Sequence, residues 1–131
     1  MRILILLAFF TPIYIGAQTN DMKDVVPDSN NYENIYVKKM SSDSLATSFA
    51  IWVKLKVKMH KHVKHTEHVT ILQGKGKFTI GDTTITVKKG DFITIPMGTW
   101  HGVEVTSRRP MKVISIQSPE FKGEDRVFKR G

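Results

Sequence analysis

The chain has 131 residues, a formal charge of +8 at pH 7 and no cysteine, which suits one ordinary domain. The lack of cysteine excludes disulfide scaffolds, thiolate zinc sites, iron–sulfur clusters and a cysteine nucleophile. With 40% hydrophobic and 24% charged residues, the composition fits neither a disordered chain nor a polytopic membrane protein. The unusual feature is a set of five histidines, four of them within nine residues: His60, His62, His65, His68 and His101.

The first residues have the pattern of a secretory signal peptide. Arg2 precedes a wholly apolar run over residues 3–10, and the following segment ends in the small residues Gly16 and Ala17. The apolar run is too short for a membrane anchor, and Pro12 interrupts the segment behind it. We therefore expect cleavage after Ala17 and export of the mature chain to the periplasm or the medium, with no membrane span left.

Residues 18–35 form a polar, turn-rich stretch without periodicity, which predicts a flexible N-terminal segment. Residues 36–131 are then predicted to be the folded domain. Its first clear element is residues 49–59, where apolar side chains alternate with Lys54, Lys56 and Lys58, as in a half-exposed strand.

Short strands continue to the C-terminal region without a helical period. Glycine or proline turns interrupt them at Gly74, Gly81, Gly90, Pro96 and Pro110. Short strands at nearly regular spacing predict a closed or sandwiched all-β domain.

Two segments carry the candidate chemistry. His60 and His62 are two residues apart, so on a strand they project from the same face, and Glu67 comes after a gap long enough for a turn. Two imidazoles and a carboxylate suit a divalent transition metal. The second segment, residues 90–101, ends a strand in a Pro-x-Gly turn and presents His101 just beyond it. This third imidazole meets the others only if the sheet closes.

Together the two segments resemble the paired motifs of the cupin superfamily, in particular its small single-domain, type-2-like members. The first motif, G-x5-H-x-H-x3,4-E-x6-G, is matched at His60, His62, Glu67 and Gly74. The second, G-x5-P-x-G-x2-H-x3-N, is matched at Gly90, Pro96, Gly98 and His101. The sequence departs from the motifs where Lys54 replaces the opening glycine and Val105 replaces the final asparagine. The resemblance covers roughly residues 45–117.

The resemblance implies a double-stranded β-helix, or jelly-roll barrel, with one metal near its mouth. It assigns the ligand role to His60, His62, Glu67 and His101. The metal would be one divalent Mn, Fe, Ni, Zn, Co or Cu ion, and the sequence does not choose among them.

The alternation of residues 49–59 conflicts with this assignment. His60 and His62 share the parity of Lys54, Lys56 and Lys58, which should face water. We therefore predict a bulge between Val57 and His60 that turns the histidines inward.

Three further residues have two open interpretations each. His65 is the candidate general acid–base, or else an exposed loop residue. Trp100 and His68 are candidates for lining a substrate site, or else packing and surface residues.

The function is left between two classes. One is an exported metalloenzyme that acts on a small oxygenated, sugar- or keto-acid-like molecule by Lewis-acid isomerase or lyase chemistry, or as a dioxygenase. The other is a non-catalytic cupin that binds or senses a metal or a small molecule. Lys58, Lys61 and Lys64 beside the histidines favour an anionic ligand. The dispersed positive charge argues against nucleic-acid binding, and a homodimer is left open. An ionisable residue in the cavity beyond the ligands would favour acid–base chemistry.

Overall fold

The computed structural model describes residues 19–130, so the predicted signal peptide, residues 1–17, lies outside the described residues. The described chain forms ten β-strands and no helix, which confirms the all-β prediction. Accordingly, this part of the chain has no helix with the length and hydrophobicity needed to span a membrane. The strands are β1 (Ile35–Ser42), β2 (Thr47–Val53), β3 (Lys56–His62), β4 (Thr66–Gln73), β5 (Lys75–Ile80), β6 (Thr83–Lys88), β7 (Phe92–Ile95), β8 (His101–Val105), β9 (Met111–Ser118) and β10 (Arg126–Phe128).

The strands form two five-stranded antiparallel sheets. The first sheet has the order β1-β2-β9-β4-β7, and the second has the order β10-β3-β8-β5-β6. The core lies between them, where Val53, Ile71 and Met111 of the first sheet meet Phe78 and Val103 of the second. Alternation places these side chains inward on each strand, so each sheet buries one face against the other.

The residues predicted as one strand over 49–59 form two strands in different sheets. β2 ends at Val53 in the first sheet, and β3 begins at Lys56 in the second. Asn34 fixes the connection between β2 and β3, because its side-chain oxygen accepts hydrogen bonds from the Leu55 and Lys56 amides at 2.9 and 3.2 Å. The alternation continues on both sides of the break, so the local pattern gives no sign of a turn fixed by a residue 21 positions away.

The predicted bulge in β3 is confirmed. Val57 pairs with Val103 and His60 pairs with His101, so β3 has one more residue than β8 between these pairs. The extra residue changes the parity of the strand and turns His60 and His62 to the interior. Gly102 makes room for the bulge, because a Cβ there would lie 2.8 Å from the Val57 carbonyl oxygen.

The segment before β1 contacts the first sheet. Lys112 of β9, which is 7% exposed, donates from Nζ to the carbonyls of Met22 and Val25. Its ammonium also lies 5.3 Å from the ring centroid of Trp52. Residues 19–34 form no strand, and their predicted flexibility stays a prediction.

Candidate metal centre

Three histidines of the second sheet form one side of the site. The bulge in β3 buries His60 and His62, at 5% and 2% exposure. His101 begins β8 and pairs directly with His60, so its ring centroid lies 4.2 Å from that of His60 and 5.5 Å from that of His62. The turn before β8 is tied to the same strand, because the Gly98 amide donates to the His62 carbonyl at 2.7 Å.

Each of these rings is oriented through its Nδ1 atom. His60 donates to the Lys58 carbonyl at 2.9 Å, and His101 donates to the Thr99 carbonyl at 2.9 Å. His62 donates to a carboxylate oxygen of Asp125 at 3.0 Å. Because carbonyl and carboxylate oxygens only accept, each Nδ1 carries a hydrogen. In a neutral ring the lone pair is then on Nε2, on the side away from these acceptors.

Glu67 of β4 supplies the fourth group from the opposite sheet. One of its carboxylate oxygens lies 3.1 Å from His101 Nε2 and 3.6 Å from His62 Nε2. The other oxygen accepts a hydrogen bond from the Ser115 hydroxyl. Burial raises the pKa of Glu67, but the hydrogen bonds with His101 and Ser115 outweigh it and lower the pKa to about 2. The carboxylate is therefore charged at neutral pH.

The arrangement needs a cation. Two neutral imidazoles would point lone pairs at a carboxylate, and buried acceptors repel each other unless a proton or a metal ion lies between them. Burial and the neighbouring His101 ring lower the pKa of His60 to about 4, so this ring is neutral at pH 7. His62 Nε2 is buried without a hydrogen-bond partner among the described residues.

The donor set fits one divalent transition metal. The ligand atoms of His60, His62, Glu67 and His101 lie within 4.8 Å of one another, and all four residues are buried. Three imidazoles and one carboxylate suit several first-row metals and leave their identity open. The structure thus brings together all four residues assigned by the sequence resemblance.

A cavity of about 80 Å³ adjoins this centre between the sheets. Its walls are mainly apolar, with Val53, Val69 and Phe78 among them. Apart from the four candidate ligands, its polar side chains are Gln117 and Arg126. The Gln117 side chain is 2% exposed, and its oxygen has no hydrogen-bond partner among the described residues.

The other predicted site residues lie outside the lining of this cavity. His68 stacks on Phe92 at a centroid distance of 5.6 Å, on the side of β4 away from the centre. Trp100 is half-buried and lies under the ammonium of Lys61, which is 4.9 Å from its ring centroid. Their role in lining a substrate site stays a prediction, without support from these contacts.

His65 is buried, at 5% exposure, and not in an exposed loop. Its Nδ1 donates to Asp125 and its Nε2 donates to the Glu120 carbonyl at 2.9 Å. Burial lowers the pKa of His65, but these two hydrogen bonds outweigh it and raise the pKa above its usual value. Both ring nitrogens are engaged away from the cavity, which favours a positioning role over the predicted acid–base role.

Sequence reasoning missed four polar residues of the site: Ser115, Gln117, Asp125 and Arg126. Ser115 and Gln117 continue the inward parity of Met111 and Val113 in β9, and polar residues on an inward parity are a signal that identifies site residues. Asp125 and Arg126 lie in a charged tail that offers no such pattern.

Comparison with known proteins agrees with this fold. A family model described as "Cupin domain" matches residues 50–117, more than half of the chain. An uncharacterized protein of Methanocaldococcus jannaschii is 36% identical over 94 residues, which are 72% of this chain and 73% of that protein.

Solved structures share the architecture. A Klebsiella pneumoniae protein with a double-stranded β-helix domain superposes with a TM-score of 0.72 at 14% identity, over 88% of this chain and all of the other. Pac13 from Streptomyces, described as a nucleoside dehydratase, superposes with a TM-score of 0.61 at 18% identity, over 72% of this chain and 85% of that one. The double-stranded β-helix prediction is confirmed, and the chain belongs to the cupin superfamily.

Proposed function

We propose that this cupin binds one divalent transition metal through His60, His62, Glu67 and His101 and holds a small anionic oxygen ligand beside it. One observation carries the proposal: three imidazoles whose Nδ1–H groups are fixed by acceptors surround one buried carboxylate, and the four ligand atoms lie within 4.8 Å of one another. Such outer hydrogen bonds fix ring orientation and tautomer in metal sites.

The bound metal would act as a Lewis acid toward a ligand oxygen, because four protein ligands leave one or two positions of an octahedral ion open. The chain's own contribution is to hold four donors in place before the metal arrives. The apolar walls keep bulk water from these donors, which strengthens the electrostatic interactions within the site.

Arg126 supports an anionic ligand. It borders the cavity from β10, directly across from His62 in the strand pairing, and no carboxylate of the described residues lies within salt-bridge distance of it. A guanidinium can bind a carboxylate with two parallel hydrogen bonds. The cavity is small, about 80 Å³, and its walls are mainly apolar. We infer a short carboxylate or keto acid, with any longer part extending through the mouth.

The cavity lining bears on the choice among reactions. Gln117 carries an amide and Arg126 a guanidinium, so neither side chain offers a general base to a substrate. Isomerase and lyase reactions that need a general base therefore receive no support from the lining. Dioxygenase chemistry and non-catalytic binding are both compatible with it, and the second is our alternative function.

Ligand binding to an Arg126 variant and to a matched control tests whether the site holds an anionic ligand. Metal-free and metal-loaded protein would be titrated with small mono- and dicarboxylates, and binding would be followed by calorimetry. We expect binding only with metal, weakened about tenfold or more in Arg126→Gln because a charge-assisted hydrogen bond is lost. Arg109→Gln, at an exposed arginine of the β8–β9 turn, is the matched control. Binding that is indifferent to both metal and Arg126 would contradict the proposal.

A second measurement separates catalysis from binding. Protein loaded anaerobically with iron(II) and a bound carboxylate is exposed to air, and oxygen uptake and ligand mass are followed. Oxygen uptake with a changed ligand mass identifies a dioxygenase. No uptake with an unchanged ligand identifies a binding protein.

We also propose that the chain is exported after cleavage next to Ala17. The support is the charged start and apolar run of residues 1–17. Expression of the full chain and N-terminal sequencing of the exported fraction tests this. A start at Gln18 is expected, and an intact N-terminus on cytoplasmic protein would contradict it.

A further inference from the structure

Asp125 is the most heavily hydrogen-bonded acid of the described chain outside the metal centre. It is 4% exposed. One carboxylate oxygen accepts from His62 Nδ1 at 3.0 Å, and the other accepts from the Lys64 amide at 3.1 Å and from His65 Nδ1. Its own carbonyl accepts from the Val63 amide at 3.3 Å. Both carboxylate oxygens therefore accept hydrogen bonds, and one of them accepts from a candidate metal ligand, His62.

Asp125 belongs to the segment 120–128, which we call the C-terminal strap. Three contacts connect the strap to the end of β3 and to the loop that follows it. The Glu120 carbonyl accepts from His65 Nε2, the Phe121 ring meets the rings of His62 and His65 edge-on at centroid distances of 6.1 and 5.5 Å, and β10 pairs with β3 next to His62.

The hydrogen bonds of Asp125 indicate its role toward His62. His65 contacts the Asp125 carboxylate through Nδ1 and the Glu120 carbonyl through Nε2, so it connects the carboxylate to the backbone of the strap. A charged carboxylate that accepts from Nδ1–H fixes the ring orientation of His62 and makes its Nε2 a better donor to a metal.

We propose that Asp125 is a positioning residue that fixes His62 for metal binding and couples the order of the C-terminal strap to metal occupancy. This inference rests on the proposed metal site. Coupling is reciprocal: if an ordered strap favours metal binding, bound metal must favour an ordered strap by the same factor. His60 and His101 hydrogen-bond through Nδ1 to carbonyls of their own neighbours, so His62 is the one of the three rings whose Nδ1 is held by a side chain of the strap.

The test compares Asp125→Asn with Glu120→Gln, an equal charge change in the same strap at a side chain that contacts Lys122 and not the histidines. Metal affinity is measured by competition with a chelator, and the ligand field is measured by the visible spectrum of the cobalt(II)-loaded protein. We expect Asp125→Asn to weaken metal binding about 10–100-fold and to shift the cobalt bands. The Glu120→Gln variant should match the wild type in both.

Hydrogen exchange measures the coupling itself. Metal should slow exchange of the Phe121 and Val127 amides in the wild type, and should slow it less in Asp125→Asn. Wild-type metal affinity, cobalt spectrum and strap protection in Asp125→Asn would overturn the inference. If Asp125→Asn does not fold, His65→Gln, which keeps the carboxylate, should lower the affinity by a smaller factor; unchanged affinity there would also overturn it.

A separate readout distinguishes failure of this inference from failure of the metal site. In the metal-free protein, nitrogen-15 spectra of the imidazoles should show the Nδ1–H form of His62, and Asp125→Asn should change it. If the wild type binds no metal, the proposed function fails, and an unchanged His62 tautomer in the variant would overturn the positioning role independently.

Discussion

The three histidines of the metal centre are held in two different ways. His60 and His101 each donate to the carbonyl two residues earlier in the chain, whereas His62 donates to a carboxylate 63 residues later. The first two orientations are local and are set once β3 and β8 form. The third depends on the C-terminal strap, so His62 is the ligand through which a distant part of the chain can act on the metal.

The largest effect is expected from removing one locally oriented histidine and the strap-oriented histidine together. A His60→Ala/His62→Ala variant removes two of four donors, so we expect the purified protein to lose its metal. Elemental analysis should give about one metal per wild-type chain and almost none in the variant. His68→Ala is a matched control, because this histidine lies outside the cavity lining. Stoichiometric metal in the double variant would refute the ligand assignment.

The pH dependence of stability in the metal-free protein separates the contribution of His60 from that of Glu67. The lowered pKa of His60 means that the unfolded chain binds more protons, so stability should fall as the pH drops from 6.5 toward 4. The lowered pKa of Glu67 should extend the loss from pH 4.5 toward 2.

Urea unfolding at a series of pH values checks both windows. His60→Gln should flatten the upper window and Glu67→Gln the lower one, each relative to the wild type. The same slope in all three proteins would mean that neither group titrates as the site geometry requires.

Gly102→Ala tests the β3 bulge without changing a ligand or the strap. The added Cβ would lie 2.8 Å from the Val57 carbonyl oxygen and 3.0 Å from the Met59 sulfur, so the bulge must shift. We expect a loss of about 1–3 kcal/mol in the free energy of unfolding, as for other overpacked sites, together with weaker metal binding. Gly81→Ala is a control for space, since nothing lies within 4 Å of its added Cβ, although its φ of +58° carries a separate backbone strain. Unchanged stability and affinity in Gly102→Ala would show that the bulge does not depend on this glycine.

The smallest effect concerns the carboxylate ligand. Ser115→Ala removes the hydroxyl that donates to Glu67, and the fully buried site gives the oxygen no water to replace it. We expect metal affinity to fall about tenfold, near the low end for an orienting partner. Ser48→Ala, at an exposed hydrogen-bonded pair of serine hydroxyls, is the matched control. Equal affinities in the two variants would contradict a role for Ser115.

The sequence predicts the four candidate ligands because each lies in one of two short motifs that resemble those of cupins, and it predicts the bulge because the parity conflict is local. The spacing of His60, His62 and Glu67 lies within one motif, and the parity conflict with the lysines identifies where the strand must change face. The break after Val53 was missed because Asn34, which lies just before β1 and 21 residues from Leu55, fixes it.

The strap was missed for a related reason. Asp125 and Arg126 stand in a tail without hydrophobic periodicity, and their role depends only on the pairing of β10 with β3. His65 illustrates the same limit: its position beside the metal motif indicates chemistry, while its contacts with Asp125 and Glu120 make it part of the support. Long-range pairing leaves no pattern in a single sequence.

A crystal structure of the metal-loaded protein, with anomalous scattering recorded at the absorption edge of the metal, tests the central claim most directly. We expect one anomalous peak about 2.0–2.2 Å from Nε2 of His60, His62 and His101 and from a carboxylate oxygen of Glu67, with Asp125 still bonded to His62 Nδ1. A peak bound instead between His65 and Asp125, or no peak at the four residues, would contradict it.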